Sequence, residues 1–477
     1  MTQWYTFAAA IVWLLHIAVI ARALVAAGRD PYSRTAWVLL LLTLPLVGVV
    51  LYFLFGEPWV SKAQWRRWRD VSAGLAAFAP PSTDRPDING AFANALRTFE
   101  GASGWPVASG NKATLAADSD AAIGELVSDI DAAKRSVHLS FYIWLGDSNG
   151  AKVAEAVCRA ARRGVRCRIA ADSMGSSAFI RSDHWKQMRM AGAQVIALLP
   201  APLGLGLLAG RRADLRNHRK ICVIDGNIAH CGSQNCADPA FAIKAAYAPW
   251  VDIMLRLQGP VVRQLDLIFA QAWSVETSEE MGEYFASCPP DALAGGFPAI
   301  AAGTGPLTPH GTMSEMFVGA ITAARTRVCI TTPYFAPDPP LAAAIVAAAR
   351  RGVEVRIIFP HRNDSRIVAA ISRAYYPTLA EAGVRIFEFR GGLLHAKTLV
   401  ADDRLVLIGS SNMDRRSLDL NFENNVLIDS SEIAALVGAR QEQWMANCME
   451  VPQAQVCNRA LARRLADNLL TLVAPVF

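Results

Sequence analysis

The sequence predicts an α/β protein in which two similar lobes share one pseudo-symmetric active site, preceded by an N-terminal transmembrane helical hairpin. Three observations carry that prediction. Two apolar runs open the chain, the long remainder repeats itself, and both copies of the repeat hold the same polar cluster at the same place.

The apolar runs are residues 4–26 (WYTFAAAIVWLLHIAVIARALVA) and 36–55 (AWVLLLLTLPLVGVVLYFLF). Each has about the 20 residues that an α-helix needs to cross the hydrocarbon layer of a bilayer. A cleaved signal peptide fits less well, because MTQWY has no basic region and a second apolar run follows at once. Pro45 is tolerable in a membrane helix, where neighbours re-satisfy the freed carbonyl. Trp4, Tyr5, Trp37, Tyr52 and Trp59 stand near the ends, as interfacial aromatics do. Residues 1–60 therefore read as the hairpin. Arg29 and Arg34 lie in its connector, whereas Lys62, Arg66, Arg67 and Arg69 follow its exit; this bias puts the large C-terminal part in the cytoplasm.

Composition agrees with a protein that works at a lipid surface. At 477 residues the chain exceeds one ordinary core. Hydrophobic residues make up 53% and charged residues 18%, and 47 Lys+Arg against 41 Asp+Glu leave a net charge of +6. That charge suits anionic headgroups and falls short of the basic footprint of a nucleic-acid binder. The nine cysteines form no CxxC pair and no His/Cys zinc spacing, so they read as small buried hydrophobes, and neither a metal nor a cofactor is expected.

After a linker and lead-in segment over 61–112, the chain is duplicated. SVHLSFYIW (136–144) answers RVCITTPYF (327–335), VCRAARRGVRCRIAADS (157–173) answers VAAARRGVEVRIIFPHR (346–362), and MAGAQVIALLP (190–200) answers EAGVRIFEFR (381–390). In the second pair an Ala/Arg-rich helix stops at Arg-Gly-Val, with Gly as its cap, and a β-branched strand begins. Helices alternating with apolar strands indicate βαβ units and a largely parallel, buried sheet. A Pro/Gly/Ala-rich stretch over 288–310 divides the copies, giving lobes at 113–287 and 306–450. The last residues, 451–477, have apolar positions at helical spacing and read as an amphipathic helix packed on the domain. The apolar and basic stretch over 200–216 reads equally as a lipid-facing loop or a buried connector.

Each lobe carries one His-x-Lys-x4-Asp cluster: His218, Lys220 and Asp225 in NHRKICVIDG, and His395, Lys397 and Asp402 in LHAKTLVADD. The spacing of two puts His and Lys on one face of a strand, and the Asp closes that strand at a turn. Ser233 and Asn235 stand 15 and 17 residues after His218; Ser410 and Asn412 stand 15 and 17 residues after His395. A lone histidine in a strand is usually structural. Two copies with matched Asp, Ser and Asn offsets point to chemistry instead. Displacing an alcohol from a phosphodiester needs a nucleophile, a proton donor for the leaving oxygen, and cations at the phosphate oxygens. One neutral imidazole can attack while a protonated one releases the leaving alcohol, after which the roles reverse. Lys220 and Lys397 supply charge, and Ser233, Asn235, Ser410 and Asn412 are candidate substrate contacts. Each His also needs an acceptor on its far nitrogen; the candidates are Asp252 in the first lobe and Glu423 in the second.

These paired motifs resemble the phospholipase D superfamily, and within it the bacterial cardiolipin synthases. HAKTLVADDRLVLIGSSNMDRRSLDLNFE, NHRKICVIDG, WVDIMLRLQGP, TTPYFAPD and ARRGVEVRII carry the resemblance, as do Trp37, Pro45, Gly48, Tyr52 and Phe55-Gly56 in the anchor. It implies two phospholipase-D-like lobes in a bacterial inner-membrane protein. It also implies transfer of phosphatidyl from one phosphatidylglycerol to another, releasing glycerol and forming cardiolipin. The six motif residues would be catalytic, with His218 as nucleophile, His395 as acid/base and the two Asp residues more braces than contacts. GSQNCADPAF departs from the family pattern after the first Asn, which leaves another alcohol acceptor, or hydrolysis by the same residues, as alternatives. Two intact motifs argue against an inactive scaffold, and the net charge and hairpin argue against a nuclease.

Overall fold

In a computed structural model the chain is described over residues 2–26, 31–56, 62–80, 90–200, 215–288, 292–457, 464–465 and 468–471. A single sheet of fifteen strands runs through both lobes. From its centre outward, the first lobe orders its strands Ala108–Leu115, Met254–Gln258, Ile228–Gly232, Ile221–Ile224, Ser136–Phe141, Arg166–Asp172, Gln194–Leu198. The second lobe repeats that order with Phe297–Thr304, Glu423–Asp429, Leu405–Gly409, Thr398–Ala401, Arg327–Thr331, Glu354–Pro360, Arg385–Phe389, and adds Cys448–Glu450 at its edge. The duplication seen in the sequence is therefore a pseudo-two-fold relation between sheet halves. Each lobe's first strand begins upstream of the boundaries expected at 113 and 306.

The halves meet where Ala108 pairs with Ala299 and Asn111 with Phe297, across a bulge. Asn111 is fully buried there. Its amide donates to Ala108 O at 2.7 Å and Phe297 O at 3.0 Å, while its oxygen accepts the Val261 N–H at 2.8 Å. One side chain thus satisfies the backbone groups that the bulge leaves over.

The expectation of a largely parallel sheet is corrected. Among the described residues of this fifteen-stranded sheet only four of its fourteen pairings are parallel. The reason is the turn that ends each motif. Asp225 and Gly226 have φ of 53° and 72°, and Asp402 and Asp403 have φ of 49° and 53°. Such residues reverse the chain into a hairpin, so the motif strand and its successor pair antiparallel. The parallel part is the βαβ unit on each flank. There Gly164 and Gly352, with φ of 88° and 94°, end the two Ala/Arg-rich helices, a conformation that costs glycine no Cβ clash. Asp147 and Asp338 start those helices by accepting the N–H of Gly150 and Leu341.

Helices cover both faces. Ser119–Ala132 and Ser148–Arg162 bury Ile123, Leu126, Val153 and Val157 on one face of the first lobe, and Thr312–Ala323 and Pro339–Arg350 do the same in the second. On the other face a continuous core crosses from lobe to lobe under Val261–Thr277 and Ser431–Met445.

The N-terminal region is a 24-residue helix, Thr2–Val25, followed by Pro31–Thr43 and Pro45–Leu51. The second apolar run is divided at Pro45, whose missing N–H and ring bulk interrupt a helix. Trp37 and Tyr52 pack edge to face at 5.3 Å inside this unit. Among the described residues no helix is long and apolar enough to cross a membrane. The expected amphipathic helix at 451–477 appears as the short helix Gln453–Cys457, with most later residues outside those described. Most of the 200–216 stretch also lies outside them.

Candidate active site

Both motif histidines sit just ahead of a short, wholly buried strand, Ile221–Ile224 or Thr398–Ala401. The edge that receives them is built across the lobes. The His218 N–H donates to Phe422 O at 2.9 Å, and the His395 N–H to Val251 O at 2.8 Å. Phe422 and Val251 each precede a carboxylate, so the backbone that holds one lobe's histidine delivers the other lobe's acid.

The His–carboxylate pairs are accordingly crossed. His218 Nδ1 lies 2.9 and 3.0 Å from the Glu423 oxygens, and His395 Nδ1 lies 2.7 Å from Asp252 Oδ1. Asp252 and Glu423, expected as the histidines' acceptors, each lie within hydrogen-bond distance of the histidine of the opposite lobe. Ser233 and Ser410, expected at the substrate, instead donate their hydroxyls to these carboxylates, Ser233 to Asp252 at 2.6 Å and Ser410 to Glu423. The glycine ahead of each serine is a matter of space. A Cβ on Gly232 would lie 2.1 Å from Ile253 O, and one on Gly409 2.2 Å from Asn424 O. The strand bearing the carboxylate could then not pack so closely.

Lys220 Nζ donates to His218 O at 2.6 Å, and Lys397 Nζ donates to His395 O. Burial pushes the Lys220 ammonium down to about 8 and the Lys397 ammonium down to about 7. Burial also pushes His218 down to about 4, against the pull of Glu423, and it lowers His395 against the pull of Asp252. For both carboxylates burial works upward, yet the facing histidine, with lysine and serine, holds each below its ordinary value. His218 also feels Lys397, and His395 feels Lys220, so the two half-sites form one electrostatic unit. Burial thus favours two neutral imidazoles over two carboxylates. With each Nδ1–H committed to its carboxylate, each Nε2 keeps a lone pair.

Asp225 and Asp402, expected within the catalytic set, are at the other end of the strands. Asp225 accepts the N–H groups of Lys134, Arg135 and Ser136, and Asp402 those of Arg325, Thr326 and Arg327. They tie each motif hairpin to the start of the neighbouring strand and act as braces. Asn235 accepts the Ile143 N–H at 3.2 Å. Asn412 donates to Ser417 at 3.2 Å and leaves its buried oxygen without a protein partner.

Three aromatics escaped the sequence reading. The Tyr142 ring is 4.9 Å from the His218 ring and 5.5 Å from Lys220 Nζ. Trp250 and Tyr334 lie 4.7 and 6.5 Å from the His395 ring. Their signal was position: Trp250 stands two residues before Asp252, and Tyr142 and Tyr334 stand just past the repeated strands Ser136–Phe141 and Arg327–Thr331. Among the described residues no three His, Cys, Asp or Glu side chains cluster as metal ligands do.

A site assembled half from each lobe works only as one unit, and its matched imidazoles suit the class of two-lobed phosphodiester-transfer enzymes. The family model described as "Cardiolipin synthase, PLD-like domain" matches residues 126–273 and 317–444, and "Phospholipase_D-nuclease N-terminal" matches residues 8–57. Cardiolipin synthase A of Escherichia fergusonii is 36% identical over 100% of both chains. Cardiolipin synthase A of Edwardsiella ictaluri is 36% identical over 97% of this chain and 96% of its own. This chain belongs to the cardiolipin synthase family of phospholipase-D-like proteins. A phosphatidylserine synthase from Haemophilus influenzae has the same fold, with a TM-score of 0.56 at 13% identity over 80% of this chain and 100% of that one.

Proposed function

We propose that this protein is a membrane-anchored phosphatidyltransferase that makes cardiolipin and glycerol from two molecules of phosphatidylglycerol. The crossed pairing of His218 with Glu423 and His395 with Asp252 carries this reading, because it puts a nucleophile and a proton donor into one site. The full-length similarity to cardiolipin synthases supports the substrate.

His218 Nε2 attacks phosphorus and forms an N–P bond as the P–O bond to the departing glycerol breaks. His395 gives that oxygen its proton. His395 then takes a proton from a hydroxyl of the second phosphatidylglycerol, whose oxygen forms the new P–O bond while the N–P bond breaks. Burial favours the neutral form of both imidazoles, so His395 takes up its proton from solvent as the substrate enters: a phosphodiester anion beside a buried imidazole favours its charged form. The same anion compensates Lys220 and Lys397. Glu423 and Asp252 stabilise whichever imidazole is positive, and the contacts of Asn235 and Asn412 with substrate belong to this reading.

The N-terminal helices serve as the anchor. Their outer surface exposes Phe7, Trp13, Leu14, Leu15, Leu46 and Val50, an apolar area of the kind soluble monomers avoid. The family's N-terminal region spans 8–57, and the basic exit segment favours catalytic lobes on the cytoplasmic side of the bacterial inner membrane. Incubating the protein in membranes with phosphatidylglycerol labelled in headgroup and phosphate tests the reaction. Cardiolipin plus free glycerol is expected; phosphatidic acid without cardiolipin would make the enzyme a hydrolase, and turnover only with an added alcohol would change the acceptor.

A further inference from the structure

Between residues 90 and 457 the described surface exposes five large apolar side chains: Met174, Met190, Ile243, Ile367 and Leu436. Three of them gather on the edge of the sheet that carries the histidines. The Met174 N–H donates to Asp172 Oδ1 at 2.9 Å, and Asp172 Oδ2 accepts the N–H of Asn217, the neighbour of His218. Ile243 lies in the turn Ala242–Tyr247, between Asn235 and Asp252. Ile367 is the second residue of the helix Arg366–Glu381, a helix that starts directly after Asp364 and Ser365. Asp364 binds Lys244 from the first lobe and accepts the Tyr334 hydroxyl at 2.7 Å, beside His395. Met174, Ile243 and Ile367 are 48%, 59% and 46% exposed. Met190 ends a helix that leads away from this edge, and Leu436 sits on a helix covering one face of the sheet.

Cations flank two of the three: Lys244 follows Ile243 and Arg366 precedes Ile367. Lys244, Arg362 and Arg366 are exposed, and Arg362 lies over the Tyr247 ring at 5.6 Å. Apolar tips among cations are what an anionic bilayer surface receives: the tips enter the acyl boundary and the cations meet phosphates. An isolated apolar residue on a soluble surface needs no explanation. Three on the edge that carries the histidines, contributed by both lobes and with cations beside two of them, do.

We infer that Met174, Ile243 and Ile367, with Lys244, Arg362 and Arg366, form the surface by which the catalytic lobes dock on an anionic phospholipid bilayer, with the cleft opening onto it. This rests on the lipid-transfer reading above and adds the face of the lobes that meets the membrane. A phosphatidylglycerol molecule then reaches His218 and His395 without its acyl chains crossing water.

The test uses the full chain in phosphatidylglycerol vesicles, with Cys448 and Cys457 replaced by Ser. Met174→Cys, Ile243→Cys, Ile367→Cys and, as a control, Met190→Cys each carry a small fluorophore, and nitroxide lipids quench it. Quenching at the three rim positions at least twice that at position 190 is expected. Equal quenching at all four positions, or none at the rim, overturns the docking surface. Repeating the measurement with His218→Asn separates docking from chemistry, since the rim must stay quenched when turnover is abolished. A double Met174→Asp, Ile243→Asp variant should lower the ratio of vesicle to short-chain monomeric lipid turnover about tenfold, the scale of losing one buried apolar side chain. An unchanged ratio counts against the surface even if cardiolipin is made.

Discussion

Glu423→Gln tests the crossed site at its most specific point. Glu423 is fully buried and accepts from both His218 and Ser410. Glutamine keeps the shape, so packing should survive while the charge behind His218 is lost. A hydrogen bond to an ionised group contributes about 1.5–3 kcal/mol, which corresponds to roughly 10- to 150-fold in rate. A phosphatidyl ester of p-nitrophenol isolates the attack, because that leaving group departs without an acid. Rapid-quench measurement should show the burst of p-nitrophenol slowed by that factor in Glu423→Gln. Asp252→Asn, which acts behind His395, should change the burst less than about threefold and instead slow transfer to the acceptor. A phosphatidyl group captured on His218 at a rate governed by Asp252 rather than Glu423 would refute the crossed arrangement.

Other consequences follow from the same contacts. Asp402→Asn weakens three backbone hydrogen bonds at the turn and should lower Tm by roughly 3–10 °C, while activity per folded molecule stays within about threefold; a tenfold loss in folded protein would make Asp402 part of the chemistry. Gly409→Ala places a methyl group against the Asn424 carbonyl and should cost at least about 2 kcal/mol in chemical denaturation, with kcat reduced as the Glu423 strand moves. His218 is held down to about 4, below the usual 6.5 of the unfolded chain. The unfolded state therefore takes up a proton between pH 6.5 and 4 that the folded site refuses, and stability falls as pH drops through that window. His218→Asn should flatten this part of the denaturation profile; an equally steep profile would show that other groups govern it.

The repeat made much of the architecture legible, because local physics recurs in both copies. Arg-Gly-Val marks helix ends whose glycines do adopt positive φ, and the offsets of serine from histidine reflect the same hairpin folded twice. The antiparallel majority is less visible, since Asp-Gly and Asp-Asp mark the end of a strand equally well whether or not the chain returns as a hairpin. The crossing of Asp252 and Glu423 could not be read from spacing at all. Two acids at equivalent places look alike whether each serves its own lobe or the other, and only the pseudo-two-fold relation decides. The hydrogen bonds of Ser233 and Ser410 to these acids were hidden for that reason: their acceptors come close only once the strands pack at Gly232 and Gly409. Tyr142 and Trp250 were hidden among apolar strand residues, where an aromatic beside the site looks like one in the core.

The covalent step sets this site apart from one in which water or the acceptor attacks phosphorus directly, and one experiment addresses it. His395→Asn and His218→Asn proteins are mixed with phosphatidyl p-nitrophenol labelled at phosphorus, quenched in base and digested. A stoichiometric burst is expected in His395→Asn, with acid-labile label on the peptide containing His218, and no burst in His218→Asn. Label on His395 alone would exchange the two roles, and no covalent label in either protein would contradict transfer through a phosphohistidine.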